Sequence, residues 1–123
     1  MTKKMNPRIK KMWVKALRSG AYKQGKGRLR NNNEFCCLGV LCNLHAQAHP
    51  KIAAKQTDPG LYMGAQAFTP DAVVKWAKLP HYNPRVRLAN GDFISLSRLN
   101  DGNVPGIRRR TFEELADLIE EHL

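Results

Sequence analysis

Gly25-Lys-Gly-Arg-Leu-Arg-Asn-Asn-Asn-Glu-Phe-Cys-Cys-Leu-Gly-Val-Leu-Cys-Asn-Leu-His45 begins as a basic, glycine-rich loop and ends as the most apolar run in the chain. Asn31-Asn32-Asn33 is a turn signal, so Arg28–Arg30 and Glu34–Cys37 are expected to flank it as a short hairpin. From Cys37 onward Leu38, Leu41, Cys42 and Leu44 take up helical spacing, with His45 or Ala48 next on that face. The spacing predicts a helix over 37–48, apolar on most sides and central in the core. Gly39 costs such a helix around 1 kcal/mol against alanine, which predicts another element packed closely there. Pro50 is read as the close of the segment.

Upstream, Asn6-Pro7 reads as an N-cap and first helical residue. Ile9, Met12, Trp13, Ala16 and Leu17 form one apolar stripe, and Gly20 supplies the stop, so a helix is expected over about 7–19. Downstream, residues 49–68 are loop-rich, with Pro59-Gly60 marking a turn. Thr69-Pro70-Asp71 predicts a third helix with Thr69 as N-cap, Val73, Val74, Trp76 and Ala77 inward, and Pro80 as its end. Arg85–Ala89 and Asp92–Ser95 about Asn90-Gly91 predict a two-residue type I′ hairpin, with Leu88 facing Phe93 and Arg87 facing Ile94. A short helical turn at Leu96–Leu99 and a loop over Asn100–Asn103 follow. Thr111 and Glu114 form a capping box that opens a last helix through Leu115, Leu118 and Ile119. The expectation is one α+β domain over 1–123 with about four helices and two short β-hairpins.

A chain of 123 residues fits one domain that buries roughly two thirds of its unfolded surface. No run approaches the ~18–20 apolar residues of a membrane span, and Met1–Pro7 lacks the apolar region of a signal peptide. Three cysteines, two of them adjacent, argue against a disulfide framework, so a cytoplasmic location is expected. Net charge is +11, and the first thirty residues carry eleven Lys or Arg with no acid. Residues 85–123 hold six Arg against seven acids. One-ended positive charge is a footprint for phosphates, anionic lipid or an acidic protein face, and it also suits a solubilising surface.

Arg8, Lys11, Lys15 and Arg18 recur on one helix face, where like charges repel by a few tenths of a kcal/mol per pair. Something outside that helix is expected to compensate them. Either a ligand or the acidic terminal helix would do so. With Tyr22, Lys23, Lys26, Arg28 and Arg30 they form the candidate anion-binding set, in which Tyr22 could stack a base. Gly25 and Gly27 could present backbone N–H groups to an anion, though the more ordinary role is a bend into the hairpin. The loop is not a Walker motif, because glycine rather than Ser or Thr follows its lysine. Nucleic acid or a nucleotide is the first partner indicated, and an acidic protein the second. Cys36, Cys37, Cys42 and His45 are expected as core atoms rather than metal ligands. No catalytic residue, metal site or cofactor is indicated.

Lys11-Met-Trp-Val-Lys-Ala-Leu-Arg-Ser-Gly-Ala-Tyr-Lys-Gln-Gly-Lys-Gly-Arg-Leu-Arg30, Phe35-Cys-Cys-Leu-Gly-Val-Leu-Cys42, Leu99-Asn-Asp-Gly102 and Phe112-Glu-Glu-Leu-Ala-Asp-Leu-Ile-Glu120 resemble a family of small proteins encoded by tailed bacteriophages and prophages. The resemblance covers both ends of the chain, while residues 49–95 are more individual. It implies a viral protein acting in the cytoplasm of an infected bacterium, and it carries over no functional residue.

Overall fold

The computed structural model describes residues 4–56, 58, 60–102 and 104–123. Within them the order is α1 (Pro7–Arg18), β1 (Lys23–Gln24), β2 (Arg30–Asn31), β3 (Glu34–Phe35), α2 (Cys37–Ala48), α3 (Pro50–Ala54), α4 (Asp71–Ala77), β4 (Arg85–Arg87), β5 (Phe93–Ser95), α5 (Leu96–Asp101) and α6 (Phe112–His122). The fold is α+β, with one buried apolar cluster. The four helices read from the sequence are α1, α2, α4 and α6. The expected helical turn after β5 is the six-residue α5. The short α3 is additional, because Pro50 opens a new turn instead of closing the segment. Its missing N–H and preset φ suit either position. Pro59, half of the expected turn, lies outside the described residues.

α2 is the axis. Cys37 to Cys42, Leu44 and His45 are all buried, which requires partners on nearly every side. α1, α3, α4 and α5 supply them. Asn6 Oδ1 caps α1 by accepting from the backbone N–H groups of Arg8 and Ile9 at 3.0 and 3.2 Å. The buried Trp13 donates its indole N–H to the Cys37 carbonyl at 2.9 Å, fixing α1 against the start of α2. α6 lies along α1 and opens with the reciprocal Thr111–Glu114 capping box. Gly39 has the close neighbour its presence predicts. A Cβ there would stand 1.7 Å from the Leu29 carbonyl oxygen, so the strand entering β2 rests directly on α2.

The expected hairpin forms from β2 and β3, with Asn32 at φ 57° in its turn. β1 adds to β3 in parallel, giving the order β1-β3-β2. Gly25 continues that edge by donating to the Phe35 carbonyl at 2.8 Å, and a Cβ there would meet Glu34 Cβ at 2.7 Å.

Three further expectations are corrected. Thr69 does not cap α4, since Pro70 holds the cap position and the Thr69 hydroxyl donates to the Tyr82 carbonyl. The second hairpin closes through three residues, Ala89-Asn90-Gly91, with Leu88 N–H to Asp92 O at 2.8 Å and Gly91 at φ 93°. This is the type I turn with a glycine bulge, and it shifts the register by one. Arg87 therefore faces Phe93 and Val86 faces Ile94. Asn100 and Asp101 complete α5 instead of forming a loop, and Asn100 is wholly buried.

The Asn100 side chain is a junction. Its Oδ1 accepts from Cys37 N–H at 3.2 Å and from Gln24 Nε2 at 3.0 Å. Its Nδ2 donates to the Gly25 carbonyl at 2.8 Å and to Asp101 Oδ1 at 3.0 Å. Arg109 reaches the Asn100 and Gly25 carbonyls from the segment before α6. One carboxamide thus joins β1, the glycine loop, α2 and α5.

Two substitutions test this packing. Gly39→Ala should cost at least about 3 kcal/mol in urea denaturation despite alanine's better helix propensity, because the neighbour is backbone. A neutral effect would refute the close approach. Asn100→Ala should cost about 2–4 kcal/mol by stranding the Cys37 N–H at the buried start of α2. An unchanged midpoint would contradict the junction.

Candidate functional site

The nine sequence candidates separate into two groups. Arg8, Lys11 and Lys15 are exposed on the outer face of α1 and make no ion pair within 4 Å among the described residues. Arg18, on the same face, is held by α6. Its guanidinium meets Asp117 at 2.5 Å and Glu120 at 3.3 Å, and hydrogen bonds to those two carboxylates push its pKa up. Lys10 also donates to the Glu120 carbonyl at 3.2 Å. The acidic terminal helix therefore compensates one end of the repelling row, and three cations remain unmatched.

The glycine-loop candidates have diverse surroundings. Lys26 is exposed without an ion-pair partner among the described residues, while Lys23 lies 3.7 Å from Glu34. Arg28 sits with Nε and Nη2 each 3.2 Å from the Gln66 amide, whose oxygen accepts once turned toward them. Arg30 donates to the Asn32 carbonyl at 2.8 Å and lies over the Phe35 ring at 5.1 Å. Tyr22 is half-buried, edge-on to Phe35, and its hydroxyl accepts from Asn43 at 2.6 Å. That packing ties Tyr22 to β3 and α2.

Three N–H groups of the loop are already engaged within the fold. Gly25 N–H is bound by Phe35 O, Leu29 N–H by Gln66 O at 2.7 Å, and Gly27 N–H by Asp101 Oδ1 at 3.1 Å. A carboxylate occupies the place that a phosphate would take in a cradle of N–H groups. Side chains are the clearer means of meeting an anion here. Arg28 is available for that, and it shares a groove of about 180 Å³ with Arg98, Ser97 and Phe68. Arg98 was hidden in the sequence because the nearly balanced charge of residues 85–123 masks where each sign falls. Five of the seven acids there lie on α6, away from β4, β5 and α5.

Cys36 and Asp101 line the same groove. The Cys36 sulfur accepts from Gly39 N–H at 3.4 Å as the cap of α2, and burial pushes its thiol up to about 11. At neutral pH it is a cap rather than a thiolate nucleophile. Burial raises Cys37 and Cys42 as well. No group of three His, Cys, Asp or Glu among the described residues could hold a metal ion.

On the other side of α2, His45 Nδ1 lies 2.6 Å from the Tyr62 hydroxyl. Its ring stacks on His49 at 4.1 Å and meets Trp76 edge-on at 5.1 Å. Beside them a mostly apolar pocket of about 290 Å³ is bounded by Leu29, Phe35, Cys42 and Tyr62, with Arg30 and Asn43 at its edge.

These features define a small α+β protein with an exposed cationic face. A family model described as a domain of unknown function (DUF8296) matches residues 5–123, and the chain belongs to that family. No curated protein and no solved structure matches it. No helix among the described residues is long and apolar enough to cross a membrane.

Burial, and then the neighbouring His49, lower the His45 pKa below its ordinary 6.5. The unfolded chain therefore binds a proton more readily than the fold. This contribution to stability is complete above about pH 6.5 and declines as pH falls toward the folded value, by at most about 1.4 kcal/mol per pH unit. Imidazole NMR should find the His45 midpoint below its ordinary 6.5. A midpoint at or above 6.5 would contradict its burial.

Proposed function

We propose that the chain is a non-enzymatic nucleic-acid-binding protein that holds phosphates through side-chain cations. The observation that carries this reading is that Arg8, Lys11 and Lys15 on α1, and Lys26 in the glycine loop, are exposed cations without acid partners among the described residues. The fold matches Arg18, Lys23 and Arg108 internally and leaves these outside. A long polyanion with regularly spaced charges suits such a surface, because each contact releases condensed counterions and needs no shaped pocket. The resemblance to tailed-phage proteins supports a setting in the cytoplasm of an infected bacterium. There, binding of host or viral nucleic acid would serve host takeover or resistance to host defence.

A nucleotide signal molecule or an acidic host protein would meet the same charges over a smaller or less regular array. An enzyme acting on a phosphate-bearing substrate at Gly25–Arg30 is disfavoured by the Asp101 carboxylate on Gly27 N–H and by the protonated Cys36.

Anisotropy of labelled oligonucleotides between 50 and 200 mM salt tests the reading. Four to six phosphate contacts give a log–log slope of about −3 to −4 on a single strand. The triple variant R8A/K11A/K15A should flatten that slope by about 2. Absence of binding to DNA and RNA at 50 mM salt would overturn the proposal.

A further inference from the structure

We propose that the outer face of the β4–β5 hairpin, with the groove beside it, stacks the bases of single-stranded nucleic acid while Arg28, Arg85 and Arg98 meet its phosphates. This rests on the nucleic-acid reading above and names the form of nucleic acid and the place of contact.

Four large hydrophobic side chains are exposed among the described residues: Met63, Phe68, Tyr82 and Phe93. Scattered exposed rings need no explanation. These are not scattered, because Phe68, Tyr82 and Phe93 line one groove of about 430 Å³. Phe93 is the most exposed of them, at 54%. The three-residue turn decides its placement. With Arg87 opposite Phe93 and Arg85 opposite Ser95, these four share the outer face, while Val86 is buried on the other. The guanidinium carbons of Arg87 and Arg85 stand 5.3 and 5.9 Å from the Phe93 ring centre, which orients the ring beside two cations. Across the groove Tyr82 packs against His81 at 4.0 Å and Phe68 at 5.5 Å.

The charge is one-sided. No Asp or Glu lines this groove, and Arg85, Arg87 and Arg98 have no ion pair among the described residues. Phe68, Ser97 and Arg98 also line the smaller groove that contains Arg28 and Gly27, so the aromatic platform continues to the glycine loop. Planar rings alternating with arginines match the faces and phosphates of an unpaired strand. A duplex keeps its base faces stacked inside and offers only edges. A membrane surface is met by an apolar face laid flat into the headgroup region, whereas the rings here line a groove. Asn83 Nδ2 already donates to Ser97 Oγ at 2.8 Å, and Ser97 N–H donates to Asn83 Oδ1 at 3.3 Å. The groove's amide is thus engaged within the fold, and binding should be tolerant of base identity.

Anisotropy at 50 mM salt with a twenty-residue oligothymidylate and its fully abasic counterpart tests the proposal. The wild type should bind the thymidylate more tightly, and Y82A/F93A should lose about tenfold or more on it. The double variant should keep the salt slope and its affinity for the abasic strand. Phe93→Leu, which keeps an apolar side chain without a π face, should lose affinity, and Phe93→Trp should retain it; these single variants give the answer if the double variant unfolds. Salt-dependent binding that ignores the bases and these substitutions would overturn base stacking and leave the nucleic-acid reading standing. No binding of any strand would overturn both.

Discussion

The buried carboxamide of Asn100 is the constraint on which the rest of the structure depends. It satisfies the first N–H of α2, which has no acceptor within its own helix, and grips Gln24 and Gly25 with the same group. A buried amide with all its bonds made specifies one arrangement, because any displacement strands a donor or acceptor. The consequence runs outward. Gly25 is pinned to α5, Gly27 N–H falls on Asp101, and Leu29 can lie against Gly39 at a distance only glycine permits. The basic loop is therefore a strap pinned over the central helix, and Lys26 and Arg28 are the exposed cations at its tip.

Charge follows the same division between what the fold uses and what it leaves exposed. α6 brings Asp117 and Glu120 to Arg18, and Glu114 to Arg108 at 2.6 Å. Such pairs at the surface add little to stability, so their larger effect is on the local field. They offset the charge of some cations and leave Arg8, Lys11 and Lys15 of α1 and the hairpin arginines unmatched among the described residues. The proposed binding surface is the remainder.

Where local chemistry is written in adjacent residues, the fold is legible. Asn6-Pro7, the Thr111–Glu114 box and the costly Gly39 each announce their role, and each takes it. β1 was not legible, since two residues carry no alternation and its partner β3 lies eleven positions on. Pro50 suits a helix end and a helix start equally. Asn90-Gly91 suits two turn types, and burial of Leu88 and Val86 goes with the one that points Phe93 outward. For the candidate site, exposed cations on α1 follow from helical spacing. The engagement of Tyr22 by Asn43 and of Gly27 by Asp101, 74 positions away, does not. Nor does the gathering of Phe68, Tyr82 and Phe93, which depends on how residues 65–98 cross the core.

The most direct test of the account is a map of contact. Ultraviolet cross-linking of the intact protein to an oligothymidylate, followed by peptide mass spectrometry, reports which side chains touch the bases. Adducts at Phe68, Tyr82 or Phe93 are the predicted result. Adducts confined to other surfaces, the 290 Å³ pocket beside Tyr62 included, would contradict it.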